Sequence, residues 1–199
     1  MAQMTTPSAL VAATHAYSPV RKVAAVAAGS VLVAVCAYIS VPLFFTPVPI
    51  TLQPFAVLLL GLLMEPTAAF AALALYLLEG AVGMPVFTPQ GPGGILQLLG
   101  PTGGYLMSYP FVAALVSFVY ARFRTRNFGT AAISAAAGNI LILAAGTVWL
   151  ATVTHQPFSH VISLSVIPFL PGDALKVLAA AGIAAGWLRM RRMEEMVGH

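Results

Sequence analysis

Charged side chains are scarce in this chain of 199 residues. It carries nine Lys and Arg and five Asp and Glu, so that 7% of its residues are charged, against roughly 25% in an average soluble protein. Hydrophobic residues make up 60% of the sequence, and the mean hydropathy is +0.94. So few charges cannot cover a water-facing surface. The composition therefore excludes a soluble enzyme, a nucleic-acid-binding protein and a disordered chain, and it predicts an integral membrane protein.

Cysteine and the common catalytic motifs are also missing. Cys36 is the single cysteine, which excludes an intramolecular disulfide and a CxxC metal or redox motif. The sequence contains no GxxxxGK(S/T) phosphate loop, no HExxH and no GxSxG. His155 and His160 have no carboxylate partner nearby in the sequence. We therefore expect neither a metal site nor a cofactor.

The apolar residues form long runs that predict six transmembrane helices. A helix needs about 20 apolar residues to cross the hydrocarbon layer. Four segments meet this length, namely Val23–Val41, Thr102–Phe123, Phe128–Thr154 and Val161–Met190. A further apolar stretch, 43–83, is interrupted at Glu65–Pro66. Because proline suits the first turn of a helix, we divide this stretch into the helices Pro54–Met64 and Pro66–Gly83.

Basic residues occur in three short clusters, at 21–22, 122–126 and 189–192. Lys and Arg that flank membrane spans favour the cytoplasmic side. With six helices, an even number of spans separates the clusters, so all three clusters and both termini face the cytoplasm. We expect one membrane domain over 21–192, a flexible cytoplasmic tail at 1–20 and a cytoplasmic C-terminal tail at 193–199.

The second predicted helix, Pro54–Met64, is too short to cross the membrane alone at about 1.5 Å per residue. Either the extended stretch 43–53 completes the crossing, or the helix is re-entrant. The outward loops 42–53 and 84–101 are rich in Pro and Gly. Such backbone near a membrane must be buried in protein or line a cavity. Gly103 and Gly104 open the fourth predicted helix, whose free N–H groups can bind an anion.

Asp173 and Lys176 are the strongest single signal of function in the sequence. They stand three residues apart on one face of the last predicted helix. Charges inside a membrane span are costly and usually functional. Asp173 is expected roughly 22 Å from the cytoplasmic side. Pro171 and Gly172, which directly precede it, permit a kink in the helix at that point. The pair predicts a site for a small polar or anionic ligand, although mutual neutralisation is an alternative. Asn139 is expected to bond to a neighbouring helix.

Four segments resemble segments of the BioY family and occur in the family order: Thr46–Gln53, Leu77–Phe87, Gly100–Leu106 and Pro168–Lys176. BioY proteins are the biotin-specific substrate-capture components of energy-coupling-factor vitamin transporters. The resemblance implies a six-helix protein of the bacterial plasma membrane that binds biotin near its outer face. It also implies partners, namely a transmembrane coupling protein and two cytoplasmic ATPases. A member that works without this module is expected to be a homo-oligomer.

The resemblance also implies roles for individual residues. Asp173 and Lys176 match the D-x-x-K residues that contact the ureido ring of the ligand. Gln90 is the nearest match to a polar contact in the loop between the third and fourth helices. Tyr105 and the turn Gly103–Gly104 follow the third motif.

Further residues complete the expected surfaces. Gln53 is a further expected ligand contact, and Phe44 and Phe87 are expected, with Tyr105, to cover the apolar part of the ligand. Ala24 and Ala28 match best the family's small-xxx-small motif for docking to the coupling protein.

Two other functions stay open from the residues alone. A membrane-embedded enzyme could use Asp173 with a histidine, and it would turn over its substrate. A capture protein for another small vitamin would share the architecture but bind a different ligand. We expect a binding and transport component rather than an enzyme, because no bond needs to be made or broken.

Overall fold

The computed structural model describes residues 19–197, and it is nearly all helical. Its helices are α1 (Pro19–Tyr38), α2 (Gln53–Leu63), α3 (Pro66–Ala81), α4 (Gly94–Leu99), α5 (Gly103–Arg122), α6 (Phe128–Thr154), α7 (Phe158–Ser165) and α8 (Leu170–Val197). Two short strands, β1 (Ser40–Val41) and β2 (Ile50–Thr51), pair antiparallel, with Ser40 opposite Thr51. Residues 1–18 of the predicted tail, with Gly198 and His199, lie outside the described residues.

Within residues 19–197, three helices are long and apolar enough to cross a membrane: α1, α5 and α6. The pair α7 and α8 provides a fourth candidate span, bent by 54° at its break. Helices α2 and α3 are apolar but shorter, at 11 and 16 residues. The predicted helical membrane protein is confirmed, whereas six full spans and the side on which each terminus lies stay predictions.

The predicted helix over Val161–Met190 is present as two helices, α7 and α8, with a bend between them. The chain leaves the helical path at residues 166–169 and resumes at Leu170. Pro168 causes this break because it has no backbone N–H and disfavours the helical conformation of the residue before it. Pro171 falls in the first turn of α8, where a missing N–H costs nothing. The bend therefore lies just before Pro171–Gly172 rather than at it.

Helix α2 lies inside the bundle, packed against α5, α6 and α8. Val57 and Leu58 are fully buried, and most of the helix is shielded by protein. This burial explains how a helix of 11 residues can lie in a membrane protein without spanning it, because lipid contacts little of its backbone. The stretch before it, predicted as extended, contains β1 and β2 and a turn at Phe44–Phe45.

Close approach of α2, α5 and α6 depends on glycine. A Cβ on Gly61 of α2 would lie 2.8 Å from the carbonyl oxygen of Ala113 and 2.9 Å from the Cβ of Val116, both on α5. A Cβ on Gly138 of α6 would lie 2.4 Å from Val116 Cγ2. Small residues allow helix backbones to approach closely in membranes.

The bundle has two ends. The loop end contains α4 and the β1–β2 strands, and the terminal end contains the start of α1 and the end of α8.

The close approach of α2 and α5 predicts a selective cost for one added methyl group. Gly61→Ala should lower the free energy of unfolding by about 1–3 kcal/mol, because the added methyl meets the α5 backbone. The control is Gly182→Ala on α8, where no atom of the described residues lies within 4 Å of the added Cβ. This change should alter stability by less than about 1 kcal/mol. Reversible unfolding in detergent measures both, and equal effects would contradict the packing argument.

Candidate functional site

A cavity opens at the loop end, between the helices and the loops 42–53 and 84–101. It encloses about 500 Å³ of empty space, part of which is open to solvent. Its polar lining residues are Thr51, Gln53, Thr88, Gln97, Thr102, Tyr105, Tyr109, Asp173 and Lys176. The rest of the lining is apolar and comprises Val48, Pro49, Pro54, Leu106, Ile142, Leu143 and Phe169.

Asp173 and Lys176 form a buried ion pair on the wall of this cavity. The Lys176 Nζ lies 2.9 Å from Asp173 Oδ1, and Asn139 Nδ2 of α6 donates to Asp173 Oδ2 at 3.1 Å. The two charged residues are 4% and 8% exposed. The predicted bond from Asn139 to a neighbouring helix is therefore confirmed. Both oxygens of Asp173 have a protein partner, and their remaining lone pairs can accept from a ligand.

The break before α8 sets the position of Asp173. Its backbone N–H donates to the carbonyl of Phe169 at 2.8 Å, so Asp173 lies in the first turn of α8. A carboxylate is favoured there, because the positive end of the helix dipole lies at the N-terminus. A continuous helix would offer no such end at this depth. The interruption at Pro168 therefore places the negative charge at the cavity.

Aromatic residues of α5 form the opposite wall of the cavity. Tyr105 and Tyr109 stand four residues apart, on one face of the helix. The Tyr105 hydroxyl donates to the carbonyl of Ser165 at 3.2 Å, which joins α5 to the last residue of α7. Gln53 Nε2 donates to the hydroxyl of Tyr76 at 2.6 Å, which fixes the start of α2 against α3. These bonds hold polar groups around the cavity in set orientations.

A neighbouring cavity is lined by residues of the loops 42–53 and 84–101, and it shares Pro49, Thr88, Gln97 and Thr102 with the first. It encloses about 490 Å³, part of it open to solvent. Its walls are stabilised by glutamine side chains. Gln90 Oε1 accepts from the Thr88 hydroxyl and from the Ser40 hydroxyl, the latter at 2.7 Å. Gln97 Nε2 donates to Thr102 Oγ1 at 2.8 Å.

The structure brings together four of the residues predicted for ligand binding: Asp173, Lys176, Tyr105 and Gln53. Gln90 lines the neighbouring cavity instead. Phe44 does not cover the cavity as expected. It is fully exposed at the turn between β1 and β2, where it packs edge-on against Phe45 at 5.2 Å.

Three further predicted residues do not line the cavity and pack against other parts of the protein instead: Phe87, Gly103 and Gly104. The Phe87 ring is buried and packs edge-on against Tyr76 at 5.4 Å. A Cβ on Gly103 would lie 1.9 Å from the carbonyl oxygen of Leu98, and one on Gly104 would lie 2.1 Å from Trp149 Cβ. The two glycines thus allow the start of α5 to approach its neighbours. Neither glycine is among the lining residues of the cavity, and their contact with the ligand stays a prediction.

Several polar lining residues were missed from the sequence, namely Thr51, Thr88, Gln97, Thr102 and Tyr109. Tyr109 had a detectable signal, because it follows Tyr105 by one helical turn. Thr102 lies inside the motif Gly100–Leu106. Gln97 had no detectable signal in the sequence, because the segment that forms α4 was expected to be a loop. Within residues 19–197, no group of three His, Cys, Asp or Glu side chains could hold a metal ion.

The ion pair predicts a cost for removing one partner that exceeds the cost of removing both. Lys176→Met should lower the free energy of unfolding by about 3–5 kcal/mol, because the Asp173 carboxylate stays buried without its cation. The double variant Asp173→Asn with Lys176→Met removes both charges and should recover most of that loss. Unfolding in detergent measures the cycle. A Lys176→Met protein as stable as the parent would show that the pair contributes nothing.

Known proteins are similar to this chain in sequence and in architecture. The family model described as BioY family matches residues 4–193. A biotin transporter BioY of Thermotoga maritima is 36% identical over 163 residues, covering 82% of this chain and 91% of that protein. The biotin transporter BioY2 of Lactococcus lactis subsp. cremoris is 34% identical over 153 residues, covering 77% of this chain and 82% of that protein.

A solved structure agrees with this assignment. The crystal structure of the S-component for biotin from an ECF-type ABC transporter matches with a TM-score of 0.81 and 25% identity. The match covers 90% of this chain and 95% of that one. The family model spans nearly the whole described chain, and the fold agrees with the solved relative. The chain therefore belongs to the BioY family.

Proposed function

We propose that this chain captures biotin in the cavity at its loop end and passes it to an energy-coupling module for uptake. The chain is a multi-pass plasma-membrane protein of a transporter family, which confirms that it is not an enzyme. The observation that carries the proposal is the buried pair Asp173–Lys176 on the wall of the cavity at the loop end. The relatives that are biotin transporters, and the solved S-component for biotin, support the choice of ligand.

The chemistry of biotin matches the cavity wall. One end of biotin is a cyclic urea with two N–H donors and one carbonyl. Asp173 can accept the N–H groups, and Lys176 can donate to the carbonyl with hydrogens that its bond to Asp173 leaves available. Asn139, which donates to Asp173 Oδ2, would hold the Asp173 carboxylate in place while it binds the ligand. Burial makes each contact selective, because an analogue that lacks one group leaves its partner unpaired.

The remaining parts of biotin have counterparts farther out. The rings of Tyr105 and Tyr109 and the apolar lining would cover the sulfur-containing ring and the chain. The carboxylate would then lie toward the neighbouring cavity, where Thr88, Gln97 and Thr102 offer hydroxyl and amide donors. This placement supports entry from the loop end, which the basic clusters predict to be the outer face.

The first test replaces the charge of Asp173 at constant shape. Asp173→Asn should raise the biotin dissociation constant at least tenfold, because a charged acceptor becomes a neutral amide. Calorimetric titration of the full chain in detergent measures this, with thiamine and riboflavin as other vitamins. Glu194→Gln, an exposed acid on the same helix, is the matched control and should bind as the parent does.

The outcomes separate the alternatives. Unchanged biotin affinity in a folded Asp173→Asn protein would remove Asp173 from the site. Binding of thiamine or riboflavin in place of biotin would assign the cavity to another vitamin.

The exposed face of α1 supports the predicted docking of a coupling protein. Ala24 and Ala28 are exposed. Along α1 they follow Val20, which is 75% exposed, and precede Val31 and Val35, which are 61% and 56% exposed. Four-residue spacing places these small side chains on one face, away from α3. A helix of a coupling protein can approach such a face closely.

Larger side chains on this face should separate docking from capture. Leucine at both Ala24 and Ala28 should reduce co-purification of the coupling protein and ATPases at least tenfold, because close approach of the partner helix is blocked. Biotin affinity should stay within twofold of the parent. Ala137→Leu, on an exposed position of α6, is the control. Full co-purification of the doubly substituted chain would place docking elsewhere, and transport without any module would favour a homo-oligomer.

A further inference from the structure

Lys and Arg are almost absent from the part of the sequence that surrounds the two cavities. Eight of the nine Lys and Arg residues belong to the three basic clusters, and the ninth is Lys176. The loops 42–53 and 84–101, which contribute to the lining of both cavities, contain neither Lys nor Arg. Lys176 is therefore the one Lys or Arg side chain in the sequence that is placed to meet the carboxylate of biotin.

Lys176 is engaged at the other end of the ligand. Its Nζ lies 2.9 Å from Asp173 Oδ1, and the proposed function assigns its remaining hydrogens to the ureido carbonyl. Lys176 lines the first cavity but not the neighbouring one. His155 follows α6, and His160 lies in α7, and neither of them lines either cavity. The described residues that line the neighbouring cavity, where the carboxylate is expected, are all uncharged.

The start of α5 is another possible source of positive potential, because free N–H groups at the beginning of a helix attract anions. The N–H group of Gly103 already donates to the carbonyl of Gly100 at 3.0 Å. Gly103 and Gly104 pack against Leu98 and Trp149, and neither glycine lines either cavity. These two residues therefore do not take the place of a cation in the lining.

The neighbouring cavity offers neutral hydrogen-bonding groups instead, on Thr88, Gln90, Gln97 and Thr102. Gln90 Oε1 accepts from Ser40 and Thr88, whereas Gln90 Nε2 forms no hydrogen bond with a described residue and can donate to a ligand. Such donors bind the oxygen of a carboxamide as well as the oxygen of a carboxylate. A charged acceptor makes each bond roughly twice as strong, so the free acid keeps only a modest advantage.

We propose that the ligands of this protein include carboxamides of biotin, in which the acid is linked to ammonia or to a small amine. This inference rests on the proposed function and extends its substrate class. The neighbouring cavity is partly open to solvent, so a substituent on the amide nitrogen has a path out of the protein. Selectivity is then concentrated at the ureido ring, where the charged groups Asp173 and Lys176 lie.

Competition calorimetry of the full chain in detergent, with biotin and with its primary amide, biotinamide, tests the proposal. The dissociation constants of the two ligands should agree to within about tenfold, because neutral donors serve both. Biotin affinity should also change by less than about threefold between about 20 and about 500 mM NaCl, because no ion pair holds the carboxylate.

A cation added at the neighbouring cavity should create the missing selectivity. Gln90→Arg should shift the ratio of the two dissociation constants toward the free acid at least fivefold, because a guanidinium attracts a carboxylate more strongly than a neutral amide. The matched control is Gln156→Arg, since Gln156 is exposed between α6 and α7 and lines neither cavity. It adds the same charge and should leave the ratio as in the parent.

Three results would overturn the proposal. Biotinamide that binds more than tenfold more weakly than biotin to the parent would show that the site requires the free acid. A ratio that shifts equally in both variants, or in neither, would place the carboxylate outside the neighbouring cavity. A folded parent that binds neither ligand would overturn the proposed function itself, and this result is distinct from binding of biotin without biotinamide.

Discussion

A polar group inside a membrane must find its partner within the protein, because the hydrocarbon layer offers none. This constraint governs each irregular part of the chain. Helix α2 is short, and it is enclosed by α5, α6 and α8. The chain between α7 and α8 is not helical, and its freed groups bond within the neighbouring turns. The irregular segments, namely the short helix α2 and the break between α7 and α8, both contribute residues to the lining of the cavity.

The ion pair of Asp173 and Lys176 follows from the same constraint. Neither charge could be buried alone at this depth without a large cost. Together, and with Asn139, they form a neutral cluster that retains unused hydrogen-bonding capacity. A neutral cyclic urea, with two N–H donors and a carbonyl, can join this cluster without bringing a new charge to that wall. The two charges thus stabilise each other in the protein, and their unused hydrogen-bonding groups can select a ligand that has matching groups.

The sequence predicted most of the helices because long apolar runs and proline positions are local signals. The bounds of α2, α3, α5 and α6 agree with prediction to within two residues. Asp173 and Lys176 could be identified because charge is rare in such a chain. Phe44 and Gln97 could not be placed, because their positions depend on how distant loops meet. Gly103 and Gly104 suggested an open helix end, but packing against Leu98 and Trp149 fills that space.

Gln90 joins two loops that are far apart in sequence, because one oxygen accepts from both Ser40 and Thr88. The strand pair that begins at Ser40 and the loop that contains Thr88 are therefore fastened at a common point over the cavities. Neither segment can move away from Gln90 without breaking its own hydrogen bond to that side chain. A single side chain thus ties the position of the strand pair to that of the loop.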